Sequence, residues 1–303
     1  MTTSPLAPGR RAQRLVRAAC LLLPLSCAAC AAPAARRGGP LDAELALLLP
    51  HPSAGASAAR RGAPAWREGR RRLADLRRKV EGAGPRTLRV RLALREPRTG
   101  KVLEARGAIA IAPPAADGRA RPAGSAGLAA DGALRMILLG PGGTTALDLW
   151  ARGDRFRFAV PALDLLRRGD ASTPRAARRG LPVDFLRWWM LRPAAGTLLW
   201  YERTDGTDAF VLRDGDAVID LRVNDRGVIG ARRTTWAAGE GERRRRLDEE
   251  VVIAEGLGCG GVRYAQASTG LLVTVTCEAE ERGRAPDPRA FVDPDAIRAG
   301  GGS

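Results

Sequence analysis

The chain has 303 residues, 45% of them apolar, enough for a real core in one large domain or two ordinary ones. Fifty Lys and Arg against 33 Asp and Glu give a net charge of +17, which by itself would raise nucleic acid as a partner. That class is set aside, because Lys79 and Lys101 are the only lysines, the arginines are scattered, aromatic residues make up 4%, and no nucleic-acid motif is found.

At the N-terminus, Arg10, Arg11, Arg14 and Arg17 precede a short apolar run at 18–25. The run is well short of the roughly 20 residues needed to span a bilayer, so residues 1–29 read as a cleaved signal. Ser26-Cys27-Ala28-Ala29-Cys30 then places cysteines among small residues, as in a bacterial lipobox, where a cysteine takes a diacylglycerol and becomes the new N-terminus. Cys30 is the preferred lipid anchor, since Ala28 and Ala29 are the small residues a signal peptidase needs, whereas Pro24 stands three residues before Cys27. Cys27 is the alternative, and an ordinary signal peptide with incidental cysteines is the other. Stable anchoring takes more than one acyl chain. Removal of 1–29 leaves 46 basic against 33 acidic residues, +13. On an exported protein this charge suits anionic lipid headgroups, lipopolysaccharide or an acidic protein partner.

Residues 30–65 are rich in Ala, Pro, Gly and Arg and read as a flexible tether, with one apolar island at 41–49 and the single histidine, His51. From 66 to 81 the pattern changes: Leu73, Leu76 and Val80 recur at helical spacing after Trp66, and Gly82 and Gly84 end the helix. Strands are expected at 87–96 and 101–112 around a Pro97-Arg98-Thr99-Gly100 turn. Low-complexity Ala, Gly and Pro at 113–131 read as a disordered insertion.

The stretch 134–201 is the most informative. Residues 134–139 are apolar on both faces, as in a strand covered on each side. Gly140-Pro141-Gly142-Gly143 breaks it with a tight link. Residues 144–150 return as a strand, and 155–160 alternate Arg155 and Arg157 against Phe156, Phe158 and Val160. Three consecutive strands on short turns make an antiparallel meander. A basic loop follows. Then Pro182 starts a helix at 184–191 in which Phe185, Leu186, Trp188, Trp189 and Met190 give an apolar surface wider than one stripe. Such a helix packs as core or lies over the mouth of a cavity, on different faces.

Further strand-like runs fall at 209–212, 217–223, 228–235, 247–253, 262–267 and 271–277. The last two form a hairpin that would bring Gly261 opposite Cys277 and Cys259 close by, so a disulfide between Cys259 and Cys277 is expected in an oxidising compartment. Their spacing is not that of a zinc site. The run Arg243–Arg246, followed by Asp248, Glu249 and Glu250, reads as a self-neutralising hairpin tip. Nothing marks the Glu249–Glu250 or Asp214–Asp216 pairs as buried or shifted. No nucleophile–base arrangement, metal set or cofactor motif can be named, so no enzyme is expected and no cofactor. Residues 283–303 read as a disordered tail.

Many short strands with two helical segments give a mainly β fold: a curved antiparallel sheet, a barrel or part of one, with helices plugging or capping the concave side. The order strand, glycine turn, strand, strand, aromatic helix over 134–201, with an opening helix that begins at Trp66, resembles the outer-membrane lipoprotein receptor family called LolB, whose carrier relative LolA shares the fold. The resemblance covers about 66–279 and implies an open half-barrel over 66–282 that binds acyl chains and does no bond chemistry. It implies a ligand cavity lined by Ile109, Ile111, Met136, Leu138, Leu147, Leu149, Phe156 and Phe158, with Phe185, Trp188, Trp189 and Met190 on a lid. It places Pro141, Gly142 and Gly143 in the family's membrane loop, with Gly142 where the family presents a leucine, so delivery to the membrane is the least supported step. The implied partners are acyl chains of lipoproteins or other lipids, a LolA-like periplasmic carrier, and the outer membrane, on whose periplasmic face the protein would be lipid-anchored. The alternative is a non-catalytic scaffold lipoprotein that holds a periplasmic protein partner.

Overall fold

Apolar and charged side chains alternate along Arg86–Arg95, and the strand they make, β1, lies near the middle of one long sheet. The computed structural model describes residues 41–49, 63–95, 97, 99–114, 132–178, 180–236, 246–256, 259–281 and 284–296. All belong to one unit, Gly38–Ser303. The other strands are β2 (Val102–Ala112), β3 (Ala133–Leu139), β4 (Thr145–Arg152), β5 (Arg155–Val160), β6 (Leu165–Gly169), β7 (Thr197–Thr204), β8 (Thr207–Asp214), β9 (Ala217–Asn224), β10 (Ile229–Trp236), β11 (Arg246–Ala254), β12 (Val262–Gln266) and β13 (Leu272–Glu281). The helices are α1 (Asp42–Leu48), α2 (Pro64–Gly82), α3 (Arg175–Arg178) and α4 (Val183–Leu191).

The strand order is β6-β5-β4-β3-β2-β1-β13-β12-β11-β10-β9-β8-β7. All pairs are antiparallel, and every neighbour is consecutive in sequence except β1 with β13. The sheet is therefore two meanders joined along one seam, with β6 and β7 as its free edges. It is an open half-barrel, mainly β, with α2 and α4 packed into the core cluster of its inner face. This topology sets a constraint on the chain between β6 and β7, which must cross from one free edge to the other. α4 lies on that crossing.

Register keeps the inner face apolar. Leu88 faces Ile109, Ile109 faces Met136, Met136 faces Leu149 and Leu149 faces Phe158, and all five are buried in one core cluster. Because side chains alternate with period two, one pairing fixes the whole row. α2 packs on β7 at a point of close approach: a Cβ on Gly69 would sit 2.4 Å from the Tyr201 ring. Arg77 fastens the same helix by donating from Nε to the Ala194 carbonyl at 2.9 Å.

Three sequence readings are corrected. Part of the expected tether, 41–49, is α1, held on the outer face: Leu41, Leu45 and Leu49 pack on Val251, Ile253 and Ala265, and Arg232 pairs with Asp42 at 2.8 Å. The basic loop contains β6, an edge strand whose Arg167 and Arg168 are both exposed. The expected disordered tail is docked over 284–296. There Phe291 is buried, its carbonyl accepts from Trp150 Nε1 at 2.9 Å, and Asp295 pairs with Arg157 at 3.1 Å. The signal segment with Cys27 and Cys30, His51, the insertion from 115 to 131 and the charged hairpin tip up to 245 lie outside the described residues.

Candidate functional site

The rows of inward side chains on β2–β5 meet α4. Ile109, Ile111, Met136, Leu138, Leu147, Leu149, Phe156 and Phe158 from the sheet, and Phe185, Trp188, Trp189 and Met190 from the helix, all fall in the same buried cluster. α4 begins after Pro182, whose ring suits a helix start, and Asp184 lies in the first turn, where it complements the helix dipole and pairs with Arg178 at 3.1 Å. Seven of its nine residues are buried, so it is apolar nearly all round, as a helix enclosed in a core must be. Gly180 (φ +81°) and Gly196 (φ +108°) flank the crossing in conformations that side chains rarely adopt. Arg187 ties the helix to the β4–β5 turn through the Gly153 carbonyl.

Among the described residues the concave face beneath α4 is filled rather than hollow. Beneath Trp189 and Met190 the remaining cavity is about 30 Å³, room for about two waters, whereas ligand clefts start at roughly 300 Å³. The expected open cavity is thus corrected to a closed groove occupied by the side chains of α4 and α2.

At one end of the groove the lining turns polar, which the sequence reading missed. Arg233 on β10 and Glu250 on β11 face each other and pair at 3.2 Å. The Tyr264 hydroxyl donates to Glu250 at 2.8 Å. Phe185 stacks on Tyr264, and the Arg233 guanidinium lies 5.6 Å over the Trp188 ring. Burial pushes the Glu250 carboxyl above its usual range, with Arg233 and the Tyr264 hydroxyl opposing, and burial pushes the Tyr264 hydroxyl up as well. Strand alternation could have found the site, since Glu250 shares a face with the apolar Val252.

The Pro141–Gly143 turn is a single 3-10 turn with Gly142 at φ +76° and Gly143 at φ +75°. It is exposed and carries no apolar tip, although Leu139 beside it is exposed. Cys259 and Cys277 are joined in a disulfide with Cα atoms 5.0 Å apart. Val262 pairs with Val275 there, one residue from the expected register. Among the described residues no group of three His, Cys, Asp or Glu could hold a metal ion.

No protein-family model and no curated protein matches the sequence. Solved structures do resemble it. A putative outer membrane lipoprotein-sorting protein domain from Vibrio parahaemolyticus aligns at 11% identity and TM-score 0.42, over 75% of this chain and 96% of that one. A DUF1329 family protein from Desulfovibrio piger aligns at 12% and 0.42, over 76% and 98%. A LolA superfamily protein from Nitrosomonas europaea aligns at 11% and 0.40, over 78% and 99%.

Proposed function

We propose that this chain is a lipid-anchored protein on the periplasmic face of the outer membrane, whose half-barrel shelters acyl chains beneath α4 and so accepts or localises lipoproteins delivered by a soluble carrier. The observation that carries the reading is α4 itself. An apolar helix crosses between the two free edges of the sheet, over unbroken apolar rows, with a positive-φ glycine on each side. A guest enters by exchange. Burying a methylene contributes about 0.8 kcal/mol and a large apolar side chain about 1.5–3. Phe185, Trp188, Trp189 and Met190 thus account for roughly 6–12 kcal/mol, and an acyl chain of roughly ten methylenes for about 8. The two are close enough for displacement of the helix to be reversible without ATP. No bond chemistry is assigned.

The filled groove favours a second reading, a non-catalytic scaffold lipoprotein whose core is its own and whose partner is a periplasmic protein. Native mass spectrometry with lipid extraction, on protein purified from a bacterial envelope, separates the two. Acyl species released from the folded protein support the first reading. A lipid-free protein that also fails to take up 1-N-phenylnaphthylamine leaves the scaffold.

A further inference from the structure

The small cavity under Trp189 and Met190 has one charged side chain in its lining. Arg86, the first residue of β1, lines it and is 8% exposed. Its Nη1 donates to the Gly84 carbonyl at 3.1 Å, while Nε, buried, has no hydrogen-bond partner among the described residues. Glu280 stands 3.7 Å from that Nε, close enough to balance the charge and too far to be a hydrogen bond. A guanidinium does not escape burial by losing its proton, so an unused donor here is a standing cost that an acceptor would relieve.

Resting on the acyl-binding reading above, we infer that, with α4 displaced, Arg86 receives a neutral carbonyl at the head of the acyl chain, an ester or amide oxygen accepting from Nε, while the methylenes run past Leu88, Val90, Val262 and Val275 in the place of Trp189 and Met190. The choice of a neutral acceptor follows from Glu280. A second anion brought beside it into a buried pocket meets like-charge repulsion and loses its hydration. A carbonyl satisfies the donor without adding charge.

The test is competition against bound 1-N-phenylnaphthylamine by monododecanoylglycerol, N-ethyldodecanamide and dodecanoate at neutral pH. The ester and the amide compete about tenfold better than the carboxylate. The stronger of the two names the source, a glycerolipid for the ester or an N-acylated molecule for the amide. Arg86→Met removes that advantage while probe binding persists, and Glu280→Gln brings dodecanoate up by about tenfold. Dodecanoate matching the ester in the native protein overturns the inference and leaves acyl binding standing, as does unchanged ester competition in a folded Arg86→Met. If Arg86→Met does not fold, the native ranking and the Glu280→Gln shift decide. A native protein that takes up no probe and no ester overturns the acyl-binding reading itself.

Discussion

The ring of Phe185 lies on that of Tyr264 with centroids 4.2 Å apart and planes 17° from parallel. This aromatic pair helps fasten α4 to the far half of the sheet, beside Arg233 over Trp188, and its hydroxyl end is tied to the buried Glu250. Phe185→Ala should lower stability to urea by about 3–5 kcal/mol, and Tyr264→Phe by about 1. If α4 is a movable cover, hydrogen exchange in Phe185→Ala rises more over 183–191 than over β1 and β13. A uniform rise across the sheet would show that the helix is an inseparable part of the core.

The pH dependence of stability has a predictable sign. Burial is the main reason that Glu250 holds its proton above the ordinary carboxylate range, whose reference value is 4.5. Between that value and its higher folded one, the folded chain keeps a proton that the unfolded chain has released. Glu250's contribution is thus full below 4.5 and is lost as pH rises through the folded value. Glu250→Gln should flatten this part of the profile in denaturant titrations run at successive pH values. Equal slopes in parent and variant would exonerate Glu250.

α1 offers a clean local test. A Cβ added at Gly230 would come within 2.3 Å of Leu45 and 2.5 Å of Leu49, on the outer face and away from the groove. Gly230→Ala should cost about 1–3 kcal/mol by overpacking. Limited proteolysis should then cut within 41–49 while the groove keeps its probe binding.

The disulfide closes a loop of sequence separation 18, for which the chain-entropy estimate is about 3 kcal/mol. Cys277→Ala with Cys259→Ala should lower stability by that order, and reductant should lower the parent to the same level. A parent insensitive to reductant while its thiols become titratable would show that the bridge contributes nothing.

Much of the half-barrel was legible because alternation is clear along strands such as β1, and Ile109, Met136, Leu149 and Phe158 lie on one face by their register. What stayed hidden has physical reasons. β6 is an edge strand with exposed arginines on both of its faces, so its composition is that of a loop. α1 is too short to declare itself by period; the signal lay in its dock, since Val251-Val252-Ile253 is apolar on both faces and a doubly apolar strand needs a cover outside as well as inside. The docked tail is held by Trp150 and Arg157, whose partners Phe291 and Asp295 stand more than a hundred residues away. Glu250 looked like an ordinary charge, and nothing drew notice to Arg86, because burial comes from the helices laid across the sheet.

Docking of α1 also sets a leash. With Cys30 as the anchor, about eleven residues separate the membrane from the first fixed point at Leu41, a span of roughly 40 Å at full stretch. A tether free as far as Trp66 would have allowed roughly 120 Å. On the anchor proposed at Cys30, the shorter figure would hold the molecule close to the lipid surface.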